Sequence, residues 1–136
     1  MLVDLGSVNW WAVLISAVVA YVIGGVWYTP PVFGNRWMSA LGKSKAQLGD
    51  PVKPMIAQFV LTLVIAAALA AVVVRFGAVT WVEGAAIGLA LSLGFVATSL
   101  LSDWMFCGLD LRLYWIQVGY KILFFTVMGA ILGAWR

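Results

Sequence analysis

The sequence predicts an all-α membrane protein, a four-transmembrane-helix bundle with a short interfacial helix between spans 1 and 2. Three observations predict it. Of the 136 residues, 65% are hydrophobic and only 10% are charged, against about 25% charged in an ordinary soluble domain. A chain of this size leaves much of its surface facing solvent, so that solvent must in large part be lipid. Second, four long runs are almost free of charge, each close to the ~20 residues a helix needs to cross ~30 Å of hydrocarbon. Their apolarity is continuous, unlike the alternating pattern of barrel strands, and a helix in lipid satisfies its own backbone. Third, aromatic residues stand at the ends of those runs, at Trp10, Trp11, Trp27, Tyr28, Phe76, Trp81, Trp104, Phe106, Tyr114, Trp115 and Trp135. An amphipathic ring favours the headgroup level, so this is the expected interfacial belt.

The first span is read at 8–28, within a stretch that has no charge between Asp4 and Arg36. It lacks the basic start of a cleaved signal and its apolar run is too long for one, so it is expected to stay in the mature protein. Pro30 and Pro31 end it, because proline has no N–H to donate and restricts the residue before it. Val32, Phe33, Arg36, Trp37, Met38 and Leu41 then space as a short helix over 32–41, lying apolar side down in the interface. Trp27, Phe33 and Trp37 are its expected interfacial anchors. Gly42 ends that helix, and Lys43, Lys45, Gln47, Asp50 and Pro51 read as a solvated loop. Span two is read at 54–75. A tight turn follows, with Arg75 and Glu83 expected to pair at the surface at little energetic weight. Span three is read at 83–103, and a second short turn is punctuated by Gly108. Span four, 113–135, is interrupted only by Lys121. Val8-Asn9-Trp10 and Val79-Thr80-Trp81 open spans one and three alike, a faint two-fold echo. The whole chain, 1–136, reads as a single integral membrane domain.

Small residues recur every fourth position. Span three carries Ala86, Ala90, Gly94, Thr98 and Ser102, and a second row of Gly84, Gly88 and Ser92. Span four has Thr126, Ala130 and Ala134 beside Gly129 and Gly133, and span two has Thr62, Ala66 and Ala70. Such rows let backbones approach closely in lipid, either within the bundle or at a homo-oligomer seam on span 3 or 4.

Orientation follows from counting Lys and Arg. Four spans place Arg36, Lys43, Lys45, Lys53 and Arg112 on one side, and Arg75 and Arg136 on the other. The first side is expected in the cytoplasm, with both the N- and C-termini non-cytoplasmic in a bacterial inner (plasma) membrane. This bias does not exclude dual topology.

The polar residues inside the spans gather toward that cytoplasmic half. Tyr114, Gln117 and Lys121 share a face of span four. Ser99, Ser102 and Asp103 share one on span three, Gln58 and Thr62 lie on span two, and Tyr28 ends span one. Together Tyr28, Gln58, Ser99, Ser102, Asp103, Tyr114, Gln117 and Lys121 form a candidate binding vestibule. A charge as deep as Lys121 marks function or a bundle interior. Three readings stay open for it: snorkelling to the headgroups, a structural pair with Asp103, or a ligand-binding ammonium.

The chain has no histidine and one cysteine, Cys107. Intrachain disulfides, zinc sites of the usual kind and His-dependent nucleophilic pairs therefore lack their parts. No phosphate-binding glycine loop or dinucleotide fingerprint occurs. No cofactor, metal or catalytic residue is expected. The net charge of +3 points to anionic headgroups and not to nucleic acid.

The stretch GGVWYTPPVFGNRWM (24–38), preceded by Val8-Asn9-Trp10, resembles the signature of a bacterial family of small four-span membrane proteins known only as a domain of unknown function. The closing VGYKILFFTVMGAILGAW (118–135) resembles that family's last helix, although Lys121 stands where the family has a mostly neutral residue. The resemblance covers nearly the whole chain and implies the four-span fold without an activity.

The expected role is that of a non-enzymatic membrane protein whose partners are membrane lipids, binding a lipid or small amphiphile in a cytoplasm-facing polar vestibule. The alternatives are a small transporter or channel subunit working as a homo-oligomer, and a ligand-free packing or scaffold subunit. A pore needs polar lining through the full thickness, and the outer half of one bundle lacks it.

Overall fold

The computed structural model of the chain describes residues 5–135, apart from the side chains of Lys45 and Leu48. Asp4, which bounds the first charge-free stretch, and Arg136 and the Lys45 side chain, which enter the Lys and Arg count, lie outside the described residues. The described residues contain helices and no strand. The chain runs through α1 (Trp10–Trp27), a π-helical turn Pro30–Gly34, α2 (Asn35–Leu41), a 3-10 turn and α3 (Val52–Arg75). It continues through α4 (Trp81–Leu91), a π-helical stretch Ser92–Ala97, α5 (Thr98–Cys107) and α6 (Leu111–Ala134). From α4 to α5 the helix is a single rod, Trp81–Cys107. That rod, α1, α3 and α6 are four helices long and apolar enough to cross a membrane. At roughly 1.5 Å per residue the shortest is about 27 Å long and the longest about 40 Å.

α1, α4 and α6 start where a side chain occupies orphan backbone donors. The Asn9 Oδ1 accepts from the N–H groups of Trp11 (3.1 Å) and Ala12 (3.3 Å). Thr80 Oγ1 accepts from the Glu83 N–H, while the Glu83 carboxylate accepts from the Thr80 hydroxyl and the Val79 N–H. That reciprocal capping box replaces the expected Arg75–Glu83 ion pair, because Glu83 is held at its own helix start. The echo between 8–10 and 79–81 is therefore a repeated cap followed by tryptophan. At α6 the Asp110 carboxylate accepts from the Arg112 N–H (2.8 Å) and pairs with its guanidinium (2.7 Å). Those hydrogen bonds from Arg112 hold the Asp110 carboxyl below the usual carboxylate range.

The prolines act twice. They stop α1, and they also open the next helical element, since proline is tolerated in a first turn. The expected helix over 32–41 consequently begins as the π-helical turn and becomes α-helical at Asn35. Gly42 closes it at φ +69°, and Gly108 closes α5 at φ +66°, both left-handed conformations that favour glycine.

α6 is the axis of the bundle. Phe124 and Met128 at its middle are fully buried, and α1, α3 and α4 all pack on it. The tightest contact is with α4. A Cβ on Gly84 would meet the Gly129 carbonyl oxygen, one on Gly88 the Phe125 carbonyl oxygen, and one on Gly133 the Thr80 carbonyl oxygen. Of the two small-residue rows on the third rod, Gly84, Gly88 and Ser92 are thus spent inside the bundle. Ala86, Ala90, Gly94, Thr98 and Ser102 face outward. Thr62, Ala66 and Ala70 of α3 are buried. The rod is the least buried of the four long helices and α6 the most.

The outward surface is apolar. Ile56, Val64 and Phe95 are 62%, 61% and 70% exposed, which in water would be an extensive sticky patch and in lipid is ordinary solvation. Trp10, Trp11, Phe76 and Trp81 ring one end, and Met105, Phe106 and Trp115 the other.

Candidate functional site

Where α1 ends and α6 begins, α2 packs against α6. Two links from α6 fix this end. The Trp27 indole N–H donates to the Ile116 carbonyl (2.9 Å), and the Tyr120 hydroxyl donates to the Ala20 carbonyl (2.9 Å). Gly24 makes room for Tyr120, because a Cβ there would stand 2.6 Å from its hydroxyl oxygen. Tyr28 meets Tyr120 edge-on on one side and Trp37 on the other, with ring centres 5.8 and 5.4 Å apart.

Beside this aromatic row lies a cavity of about 540 Å³ between α1, α2, α3 and α6, within the usual size of small-ligand sites. Its polar lining comes from Tyr21, Tyr28, Trp37, Gln58, Gln117, Tyr120 and Lys121, set among apolar residues such as Met55 and Pro54. Lys121 is half-buried and makes no ion pair; among the described residues the ion pair formed is Arg112–Asp110. The Trp37 Nε1 is buried with no hydrogen-bond partner. Gln58 donates from its side-chain Nε2 to the Thr62 hydroxyl (3.2 Å). The Tyr28 hydroxyl and the Gln117 amide make no hydrogen bond to the protein. A mostly apolar cavity edged by one ammonium and by the Tyr28 and Gln117 polar ends is matched to a molecule with an apolar body and an acceptor-rich head.

Four of the residues singled out in the sequence, Tyr28, Gln58, Gln117 and Lys121, thus line one cavity. The other four stand elsewhere. Ser99, Ser102 and Asp103 are exposed on α5. The Ser99 hydroxyl bonds back to the Phe95 carbonyl, and Thr98 to that of Gly94. The Phe95 carbonyl also accepts from the Thr98 N–H, so these hydroxyls add second bonds to carbonyls of the π-helical stretch. Tyr114 serves the same stretch from across the bundle, donating to the Ala97 carbonyl (2.7 Å). Of the expected anchors, Trp27 and Phe33 stack on each other at 4.4 Å, and Trp37 lines the cavity. Tyr120 and Gly24 were not among the residues singled out for the site. Their signal was present as the Gly-Tyr pair of the last helix and the Gly-Gly pair of the first.

The profile of a family described as protein of unknown function (DUF1761) matches residues 11–133. The expectation of a family without an assigned activity is met. No curated protein and no solved structure matches the chain.

Proposed function

This chain belongs to the DUF1761 family of proteins of unknown function, and we propose for it a non-enzymatic role: holding a small amphiphile, polar head inward, in the Lys121 cavity. The observation that carries this is the Lys121 ammonium, without a carboxylate, on a mostly apolar cavity beside the partnerless Trp37 N–H. An intramembrane ammonium is costly unless something compensates it, and an anionic head does so. A carboxylate or phosphate head fits, with its acyl chain along Met55 and Pro54. The residues with acid–base chemistry do not assemble: Tyr114 is engaged by Ala97 and Asp103 is exposed on α5. The excess of Lys and Arg in the 36–53 loop supports a cytoplasmic mouth for the cavity in an inner membrane, with both termini outside.

Ligand-dependent unfolding tests the reading. Palmitate at about a hundredfold its Kd is expected to stabilise the wild-type protein in detergent by about 2.7 kcal/mol. Glycerol monopalmitate, of similar chain and no charge, is expected to stabilise it less, and Lys121→Met is expected to lose the difference. Equal stabilisation of wild type and variant would refute an ammonium-centred site.

One observation favours a second reading, self-association. The outward row Ala86, Ala90 and Gly94 offers a close-approach face, and a Cβ on Gly94 would meet nothing within 4 Å. Such faces join helices in lipid. Crosslinking between cysteines placed at Ala90 in two copies tests it; no dimer in membranes would set it aside.

A further inference from the structure

The same end of the bundle has a second opening, on the other side of α2. It is a groove of about 660 Å³ between α2 and the first turns of α6. Its polar lining is Arg36, Arg112, Asn35 and Ser39, and its walls include Trp27 and Trp115. No carboxylate lines it. The groove is independent of the Lys121 cavity: α2 sends Arg36 and Ser39 to one and Trp37 to the other.

Its floor is fixed. Trp27 is pinned by its bond to the Ile116 carbonyl and stacks on Phe33. A Cβ on Gly119 would stand 3.1 Å from the Trp27 ring, so the indole lies close on α6. The two guanidinium groups are in different states. Arg36 has no carboxylate, and its guanidinium carbon lies 6.0 Å from the Phe33 ring centre. Arg112 is held by Asp110 through Nε and Nη2, with its side chain 71% exposed. A guanidinium presents a planar fork of donors that matches the oxygens of a phosphate. Two such forks, an amide and a hydroxyl line one groove beside tryptophans at the membrane boundary, the donor set that a phosphate group calls for.

We propose that the Arg36–Arg112 groove binds a phosphate-bearing anion, and that Asp110 occupies Arg112 when the anion is absent. The phosphate has two possible sources with the same chemistry: the headgroup of an anionic phospholipid, or a free phosphate anion. In binding, the Arg112 fork exchanges the Asp110 carboxylate for phosphate oxygens, and Asp110 keeps its place at the start of α6 through the Arg112 N–H.

The test uses the full chain in nanodiscs and in mild detergent, with two probes, phosphatidylglycerol and inorganic phosphate. Binding is read by titration, with phosphatidylcholine as the uncharged-surface control. Wild-type protein is expected to bind one of the probes, with affinity falling roughly tenfold or more in Arg36→Gln and in Arg112→Gln. Asp110→Asn keeps a residue able to cap α6 and removes the competing charge, so it is expected to bind several-fold more tightly. A folding defect cannot produce that gain. Phosphatidylglycerol also fits the amphiphile cavity, so the arginine and Asp110 variants are compared in a Lys121→Met background, where their effects are expected to persist; this separates the groove from that cavity. Binding of phosphatidylglycerol without inorganic phosphate assigns a lipid headgroup, and binding of inorganic phosphate with the same arginine dependence assigns a soluble anion. Binding of neither, unchanged affinity in Arg36→Gln/Arg112→Gln, or no gain in Asp110→Asn overturns the proposal.

Discussion

At the scale of single residues, the deciding fact is where each polar side chain sends its hydrogen bonds. Lys121 and Asp103 share the membrane half in sequence, yet Asp103 is exposed on α5 and Lys121 lines a cavity against α1, α2 and α3. A double-mutant cycle of Asp103→Asn and Lys121→Met, read by thermal stability in detergent, is therefore expected to be additive within about 0.5 kcal/mol. A coupling of several kcal/mol would mean that the two charges meet. Gln117 and Lys121 line the same cavity, and their shared face was legible because one helical turn separates them. It could not separate Tyr114 from them, since a helical wheel records angle and not height. Tyr114 and Lys121 stand about 10 Å apart along the axis, enough for one to meet the Ala97 turn and the other the cavity. Ser99 was unreadable as a backbone partner for a different reason: its acceptor, the Phe95 carbonyl, lies in a π-helical stretch, and no residue pattern announces that stretch.

At the scale of elements, caps and small residues set the geometry. Asn9, Thr80 and Asp110 start helices as short polar residues before apolar runs should, and this much follows from local chemistry. The rows of small residues were visible too, but which row faces inward was not. That choice depends on the rotation of the third rod against α6, a matter of packing between distant segments. The structure spends Gly84 and Gly88 on the α6 backbone and turns Ala86, Ala90 and Gly94 out. Substitutions distinguish the two faces. Gly88→Ala and Gly129→Ala each force backbones apart and are expected to destabilise by about 1–3 kcal/mol. Gly94→Ala meets nothing, and its expected effect is neutral to stabilising by about 0.4–1 kcal/mol, because alanine lowers the entropy of the unfolded chain. Chemical or thermal unfolding in detergent compares them. A loss at Gly94 as large as that at Gly88 would contradict the assigned rotation.

At the scale of the whole molecule, four apolar helices follow from composition and from the spacing of charges, because lipid permits few alternatives. The cavities do not follow from it, since they are lined by α2 together with helices far apart in sequence. Orientation is a separate question, on which the charges of the loops bear. With Cys107 replaced, a cysteine at Gln47 is expected to be shielded from an impermeant reagent in intact cells, and one at Val79 to react. The reverse pattern would place the cavity mouth outside, and equal labelling would mean dual topology. The central claim, that the Lys121 cavity holds an amphiphile, is tested most directly by native mass spectrometry in mild detergent. The Arg36→Gln/Arg112→Gln background keeps the phosphate groove from contributing mass. The expected result is one retained anionic amphiphile per chain, lost in Lys121→Met at unchanged thermal stability. A bare chain in that background, or the same bound mass with and without Lys121, would contradict the account.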